Sequence, residues 1–358
     1  MTITAYPPAY SSVNDFLVWT CYDANSIDVT KLNYQYIGEV WIGGIKVYSA
    51  KVYPNPTTNY GIFNFGNVIR EYIKAALQSE MGQGIFAIDV IVKVRETYLV
   101  GTTQTTSATT DDSTRTFFNH YNGRINDFTL FSAYANKPAT SRPLTIELFS
   151  TTTTYYLPYF ATTTTPFNVV INGATTTITP TVANTIQNIN IAVGATSDYT
   201  VVLGGVTYNV KVICETIYTK YALHFLNKYG GFESMSFHKV SKTTTNIERK
   251  EWQQLPYRVD GSGVVSVKSG SIMHPQRSMF GIKYTEKLKV STDLLGDDEY
   301  IWLSQLVNSP LVYLDDAGTL YPVVIAETNY DYKQVVVDGL NNLMVNLEFG
   351  SSYKSQFQ

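Results

Sequence analysis

The sequence is poor in charged residues, cysteine and histidine. Charged residues make up 15% of the 358 positions, whereas an average soluble domain has about 25%. The net charge is −3, and the basic residues are scattered, so nothing indicates a sequence-specific nucleic-acid-binding face. The two cysteines, Cys21 and Cys214, are far apart and lack metal-ligand spacing. Each lies in an apolar or strand-like run, which favours a small buried residue.

Long apolar runs are also missing. The first residues, MTITAYPPAYSSVNDF, have neither the basic nor the apolar region of a secretory signal. No run approaches the ~20 apolar residues that cross a bilayer. We therefore expect a soluble protein without a membrane span that begins life in the cytoplasm of the cell that makes it.

What the sequence does contain is strand-forming residues. Threonine occupies 44 positions, and 14% of the residues are aromatic. Paired turn residues interrupt β-branched and aromatic runs at hairpin spacing, at Gly43-Gly44, Asn172-Gly173, Gly204-Gly205 and residues 315–318. The predicted fold class is mainly β, with tandem antiparallel β-sandwich-like domains and one or two short helices.

Two segments have helical periodicity. Residues 67–78 place apolar side chains on one face, and we expect this helix to cover an end of the first sheet. Residues 297–308 begin with three acidic residues and are followed by Pro310. Acidic residues favour the first turn of a helix, so the triplet is interpreted as helix capping rather than a metal site.

Two threonine-rich stretches divide the chain. Residues 101–116 have few apolar side chains and are predicted to form an exposed loop or linker. Residues 150–166 mix threonine with aromatic residues and are predicted to form strands. The predicted domains are a β-sandwich-like domain with a helix at 1–100, a middle β-domain at 117–214, and a β-rich domain with a helix at 216–358.

No set of residues indicates a catalytic or metal centre. The four histidines, His120, His224, His238 and His274, form no metal-binding or catalytic motif and are interpreted as structural. The acidic pairs Asp111-Asp112 and Asp315-Asp316 lie in a threonine-rich stretch and a turn, where they do not face each other across a substrate. We expect no cofactor and no enzymatic activity.

Three blocks resemble a known group of proteins. Residues 5–77 contain PPAYSSVNDFLVWT, YIGEVWIGGIKVYSAKVYPNP and GIFNFGNVIREYI. Residues 218–250 contain YALHFLNKYGGFESMSFHKV, and residues 302–349 contain WLSQLVNSPLVYLDDAGTLYPVVIAETNY and NNLMVNLEF. These blocks, which cover somewhat under half the chain, are similar to β-rich structural proteins of tailed bacteriophages that infect Bacteroidetes.

The resemblance implies a non-enzymatic virion protein that assembles in the bacterial cytoplasm as an oligomeric ring in the tail, baseplate or neck. Its partners would be copies of itself and neighbouring tail or neck proteins. The most specific part is the turn before Glu233, where Gly230 and Gly231 reverse the chain and Phe232 inserts into a neighbouring sheet or docks on an adjacent subunit. The internal role is favoured.

A carbohydrate- or receptor-binding module is the alternative function. Tyr155, Tyr156 and Tyr159 lie in the second threonine-rich stretch, and exposed tyrosines there could stack on a glycan or lie in a subunit interface. A glycan hydrolase is a weaker third hypothesis, because the sequence has no acid pair suited to it.

Overall fold

The computed structural model describes residues 1–79, 87–119, 134–214, 217–269, 271–273, 276–316, 318–326 and 341–349. In this part of the chain the protein is mainly β, with several sheets and two α-helices. The predicted fold class is confirmed. His120 and His274 lie outside the described residues.

The elements run in three groups along the chain. The first group comprises β1 (Thr2–Ala5), β2 (Tyr10–Ser12), β3 (Val18–Tyr22), β4 (Lys31–Ile42), β5 (Ile45–Val52), β6 (Gly61–Asn64), α1 (Gly66–Ser79), β7 (Ala87–Val100), β8 (Thr103–Thr106), β9 (Thr110–Asp111) and β10 (Arg115–Phe118). The second comprises β11 (Thr145–Phe149), β12 (Tyr156–Ala161), β13 (Phe167–Ile171), β14 (Ala174–Ile178), β15 (Thr185–Asn190), β16 (Tyr199–Leu203) and β17 (Val206–Ile213).

The third group comprises β18 (Tyr221–Leu226), β19 (Phe232–Phe237), β20 (Lys242–Gln253), β21 (Arg258–Val259), β22 (Val265–Ser266), β23 (Lys268–Ser269), β24 (Ile272–Met273), β25 (Arg277–Leu295), α2 (Asp297–Val307), β26 (Val312–Asp316), β27 (Thr319–Ile325) and β28 (Asn341–Phe349). A 3₁₀ turn at Ala24–Ile27 precedes β4.

Each group forms its own sheets. The first has a sheet in the order β1-β3-β6 and a sheet in the order β2-β10-β7-β4-β5, to which β8 and β9 add along β7. The second has β11-β17-β16-β13-β14 and the pair β12-β15. The third has β19-β18-β26-β27-β28-β25-β20. Most neighbours are antiparallel, as predicted, but β10 runs parallel to β2 and β11 runs parallel to β17.

Three hydrophobic clusters hold these sheets together. One cluster joins the two sheets of the first group and takes in Ile69 and Ile73 of α1, another fills the second group, and the last packs α2 on the third sheet. Facing β-sheets packed on a shared apolar layer form the sandwich-like arrangement expected from the strand pattern.

The predicted turns and helices are confirmed. Gly43 and Gly44 both have positive φ, as a tight turn between β4 and β5 requires, and the other three hairpins join β13-β14, β16-β17 and β26-β27. The two helices begin and end within one residue of the predicted bounds.

The first threonine-rich stretch differs from the loop expected there. β8 and β9 pair with β7, and β10 adds a further strand to the same sheet. The Asp112 side chain is 5% exposed and accepts hydrogen bonds from Arg115 Nε at 2.6 Å and Trp19 Nε1 at 2.8 Å. Main-chain pairing with β7 and this buried ion pair hold the stretch on the sheet of the first group, although it carries few apolar side chains. In the second stretch, β12 confirms the predicted strand.

Candidate functional site

The tyrosines proposed for a binding surface are inside the molecule. Tyr155, Tyr156 and Tyr159 are 0%, 8% and 1% exposed. They lie on or beside β12, and its two faces contribute to different clusters: Tyr156 and Phe160 pack in the first, whereas Tyr159 packs in the second. In this arrangement they offer no platform for a glycan or an adjacent subunit.

The glycine turn is also internal. Gly230, at φ +87°, and Gly231 connect β18 to β19, and Asn227 accepts the Gly231 N–H at 3.0 Å through its side chain. A Cβ on Gly231 would lie 2.4 Å from Pro158 Cβ, so β12 packs directly on the turn. Phe232 is 0% exposed and belongs to the first cluster. The turn therefore has the internal role that the sequence favoured, and Phe232 is not available for docking.

Charged side chains lie beneath this turn. We call the cluster of Arg142, Tyr155, Asn227, Glu233 and Trp302 the junction, because it connects the second and third groups of strands. Arg142 donates to the Tyr155 hydroxyl at 2.6 Å, and Trp302 Nε1 donates to Glu233 at 2.6 Å. Asn227 donates to the other oxygen of Glu233.

The electrostatics of the junction follow from its burial. Burial raises the pKa of the Glu233 carboxyl, while the hydrogen bond from Asn227 and the nearby charge of Arg142 oppose that rise. Burial also raises the pKa of the Tyr155 hydroxyl, and Arg142 opposes that rise. The guanidinium carbon of Arg142 lies 4.4 Å from the centre of a Trp302 ring. Apart from Arg142 Nε, which has no hydrogen-bond partner among the described residues, these contacts satisfy the buried polar groups where strands of different sheets meet.

Beside the junction, three side chains resemble a nucleophile, a base and its partner. His224 Nδ1 lies 2.7 Å from Ser234 Oγ, and His224 Nε2 lies 3.6 Å from Asp315 Oδ2. However, His224 and Ser234 are 0% exposed, and Ser234 Oγ already accepts the Tyr156 N–H at 2.8 Å. A substrate has no access to Ser234 here, and the cross-strand register of β18 with β19 and β26 explains the grouping.

The remaining candidates are single residues. Cys21 is buried as predicted, and burial raises the pKa of its thiol to about 12. Cys214 is exposed, so the prediction of burial is wrong for this residue, which lies just beyond the end of β17. His238 lies edge-on to Phe149, with ring centres 5.8 Å apart. The acidic triplet opens α2, as expected for helix capping.

The most unusual surface feature is a two-stranded projection of the third sheet. Thr245 pairs with Glu286, and beyond this point β25 pairs with β20 and no longer with β28. From Thr245 to its end at Gln253, β20 has nine residues, which at ~3.4 Å each gives a ribbon about 30 Å long. The short pairs β21-β22 and β23-β24 lie at its tip. We call residues 245–286 the arm and residues 254–276 its tip.

Nothing in the described chain covers the arm. Every residue of β20 is exposed, and none of the described side chains in residues 239–287 is buried. Eight of the eleven exposed large apolar side chains of the arm belong to the tip. The eleven are Ile247, Trp252, Leu255, Tyr257, Val259, Val264, Val265, Val267, Ile272, Met273 and Met279.

One face of the arm continues a face of the core. Thr243 pairs with Leu288, which is buried in the cluster under α2. Because side chains alternate along a strand, Ile247 shares that face, and the register brings Met279 opposite Glu251 on it. The side of the sheet that α2 covers in the body is therefore uncovered on the arm.

The arm also differs from the body in charge. It carries six basic and four acidic residues, a net of +2, which leaves 20 basic and 25 acidic residues, a net of −5, on the rest of the chain. The arm and the body of the chain therefore carry net charges of opposite sign.

Sequence reasoning missed the arm. The sequence does carry a signal for it: β20 reads KTTTNIERKEWQ, which is strand-forming but has no alternating apolar face to bury.

Among the described residues, no group of three or more His, Cys, Asp or Glu side chains is placed to hold a metal ion. Within the same ranges, neither helix has the length and apolar content needed to cross a membrane. No protein-family model and no curated protein sequence matches the chain.

Proposed function

We propose that this protein is a non-enzymatic structural subunit that assembles with copies of itself through the arm. The observation that carries the proposal is the arm itself: a long ribbon and an apolar tip with no buried side chain among their described residues. Isolated two-stranded ribbons are marginally stable in water, and apolar patches of this kind mark interaction sites.

The assembly is an oligomeric ring in the tail, baseplate or neck of a tailed bacteriophage, put together in the host cytoplasm. The three sequence blocks that resemble phage structural proteins support this setting. An arm that binds a different surface on the next copy makes a head-to-tail contact, and such contacts close into rings when the rotation between copies allows it. Neighbouring tail or neck proteins would bind the completed ring.

The mass of the purified full chain in solution tests the proposal. One copy has a mass of 40.1 kDa, and we expect a defined multiple of this value by light scattering, with closed rings in electron micrographs. The arm-less variant replaces residues 246–285 with Asn-Gly, a two-residue turn that joins the paired residues Thr245 and Glu286. We expect it to be a folded monomer. A full chain that stays monomeric at high concentration, alone and with neighbouring virion proteins, contradicts the proposal.

A further inference from the structure

The body carries a second uncovered apolar surface, at one end of the first sheet. Val29 is 89% exposed and lies just before β4, and Leu32, near the start of β4, is 55% exposed. We call Val29 and Leu32 the end patch.

A groove lies beside the end patch. It has a volume of about 270 Å³ and is lined by Asn33, Gln35, Tyr53, Thr97, Tyr98, Leu99 and Gln104. Leu99 pairs with Leu32, which places the groove next to the patch. The lining combines apolar side chains with amides, so it can accept an apolar chain while its polar groups pair with main-chain N–H and C=O.

We infer that the tip of the arm docks on the end patch and groove of a second copy of this chain. The inference rests on the proposed function, because it names the surface that receives the arm. Both surfaces are apolar and uncovered, and the opposite net charges of arm and body favour a second copy over an unrelated partner.

The dimensions agree with this docking. A body of about 316 residues has a radius of gyration of about 20 Å, so a ribbon about 30 Å long with its tip reaches beyond its own body. The tip carries Arg258 and Lys268 against Asp260. Beside the end patch, Asp28 lies 3.8 Å from Lys31 Nζ, and this ion pair places no net positive charge opposite the tip.

Two variants and their mixture test the contact. The tip variant is Val265→Asp with Ile272→Asp, and the patch variant is Val29→Asp with Leu32→Asp. All four side chains are exposed in the single copy, so these changes leave the fold intact. The control is Ile217→Asp, at a side chain that is 94% exposed and outside both surfaces.

We expect the control to keep the parent mass and each variant to be monomeric by light scattering, with at least a tenfold weaker association. Mixed in equal amounts, the variants should form only a dimer of one copy each, because one intact tip then meets one intact patch.

If the patch variant keeps the parent mass while the tip variant is monomeric, the docking surface is wrong and the proposed function stands. If both variants and the arm-less variant keep the parent mass, both proposals fail. If the mixture forms no dimer, tips do not bind patches, and the inference is wrong.

Discussion

The strand β12 beside the junction and the strand β20 of the arm place their aromatic residues in opposite surroundings. Beside the junction, β12 is buried along its whole length because hydrophobic clusters lie on both of its faces. On the arm, β20 is exposed along its whole length because no described part of the chain lies on either face. Apolar residues inside one copy stabilise the fold, whereas those on the arm remain available for association.

Replacing one aromatic residue in the buried region and one on the arm should give the largest difference in stability. We expect Phe232→Ala to lower the free energy of unfolding by about 3–5 kcal/mol, because it leaves a cavity in a fully buried site. Trp252→Ala on the arm should change the stability of the monomer by about 0.5 kcal/mol or less, because its side chain is half exposed.

Urea denaturation followed by circular dichroism measures both values on the full chain and its two variants, at a protein concentration at which light scattering shows a monomer. Similar losses for the two variants would show that the arm packs on the body of its own copy, contrary to the comparison.

The first threonine-rich stretch belongs with the buried region, and its ion pair should make the body sensitive to acid. Burial by itself raises the pKa of Asp112, but hydrogen bonds from Arg115 and Trp19 hold it below its usual range. A lowered folded-state pKa stabilises the protein above about pH 4, and this stabilisation is lost as the pH falls through that pKa.

We therefore expect Asp112→Asn to cost about 3 kcal/mol at pH 7, because it leaves Arg115 buried without its charged partner, and to flatten the loss of stability below about pH 4. The matched control is the neighbouring Asp111→Asn, which breaks an exposed pair with Lys93 and should cost about 0–1 kcal/mol. Thermal unfolding at a series of pH values separates them. Equal effects of the two substitutions would mean that the stretch is an exposed loop after all.

A pair of glycines gives the smallest contrast. Gly231→Ala places a Cβ 2.4 Å from Pro158 Cβ, and this overpacking should cost about 1–3 kcal/mol. Gly261→Ala at the tip meets no heavy atom within 4 Å and should be close to neutral. The midpoints of chemical denaturation report both effects. A neutral Gly231→Ala would contradict close packing of β12 on the turn.

Local sequence patterns predicted much of the fold. Turn pairs such as Asn172-Gly173 and the apolar periodicity of α1 depend on near neighbours in the chain, and these elements lie where they were expected. The strands of the first threonine-rich stretch could not be predicted in this way, because they are held by pairing with β7 and by the contact between Asp112 and the distant Trp19.

The candidate site was harder to predict. Tyrosine is common both on binding surfaces and in cores, so Tyr155, Tyr156 and Tyr159 by themselves do not distinguish the two, whereas the continuous apolar run YLPYFA is typical of a strand buried on both faces. β20 has the opposite pattern, polar on both faces, and no local rule says that such a strand leaves the body. Its position depends on β25 extending past β28, which only the tertiary structure shows.

The most direct measurement is the solution mass of the full chain beside that of the arm-less variant, at matched concentrations and low salt. We predict a defined oligomer for the full chain and a folded species of one copy for the variant, with thermal unfolding of the variant still cooperative. A folded arm-less variant with the same number of copies as the full chain would contradict the claim that the arm drives assembly.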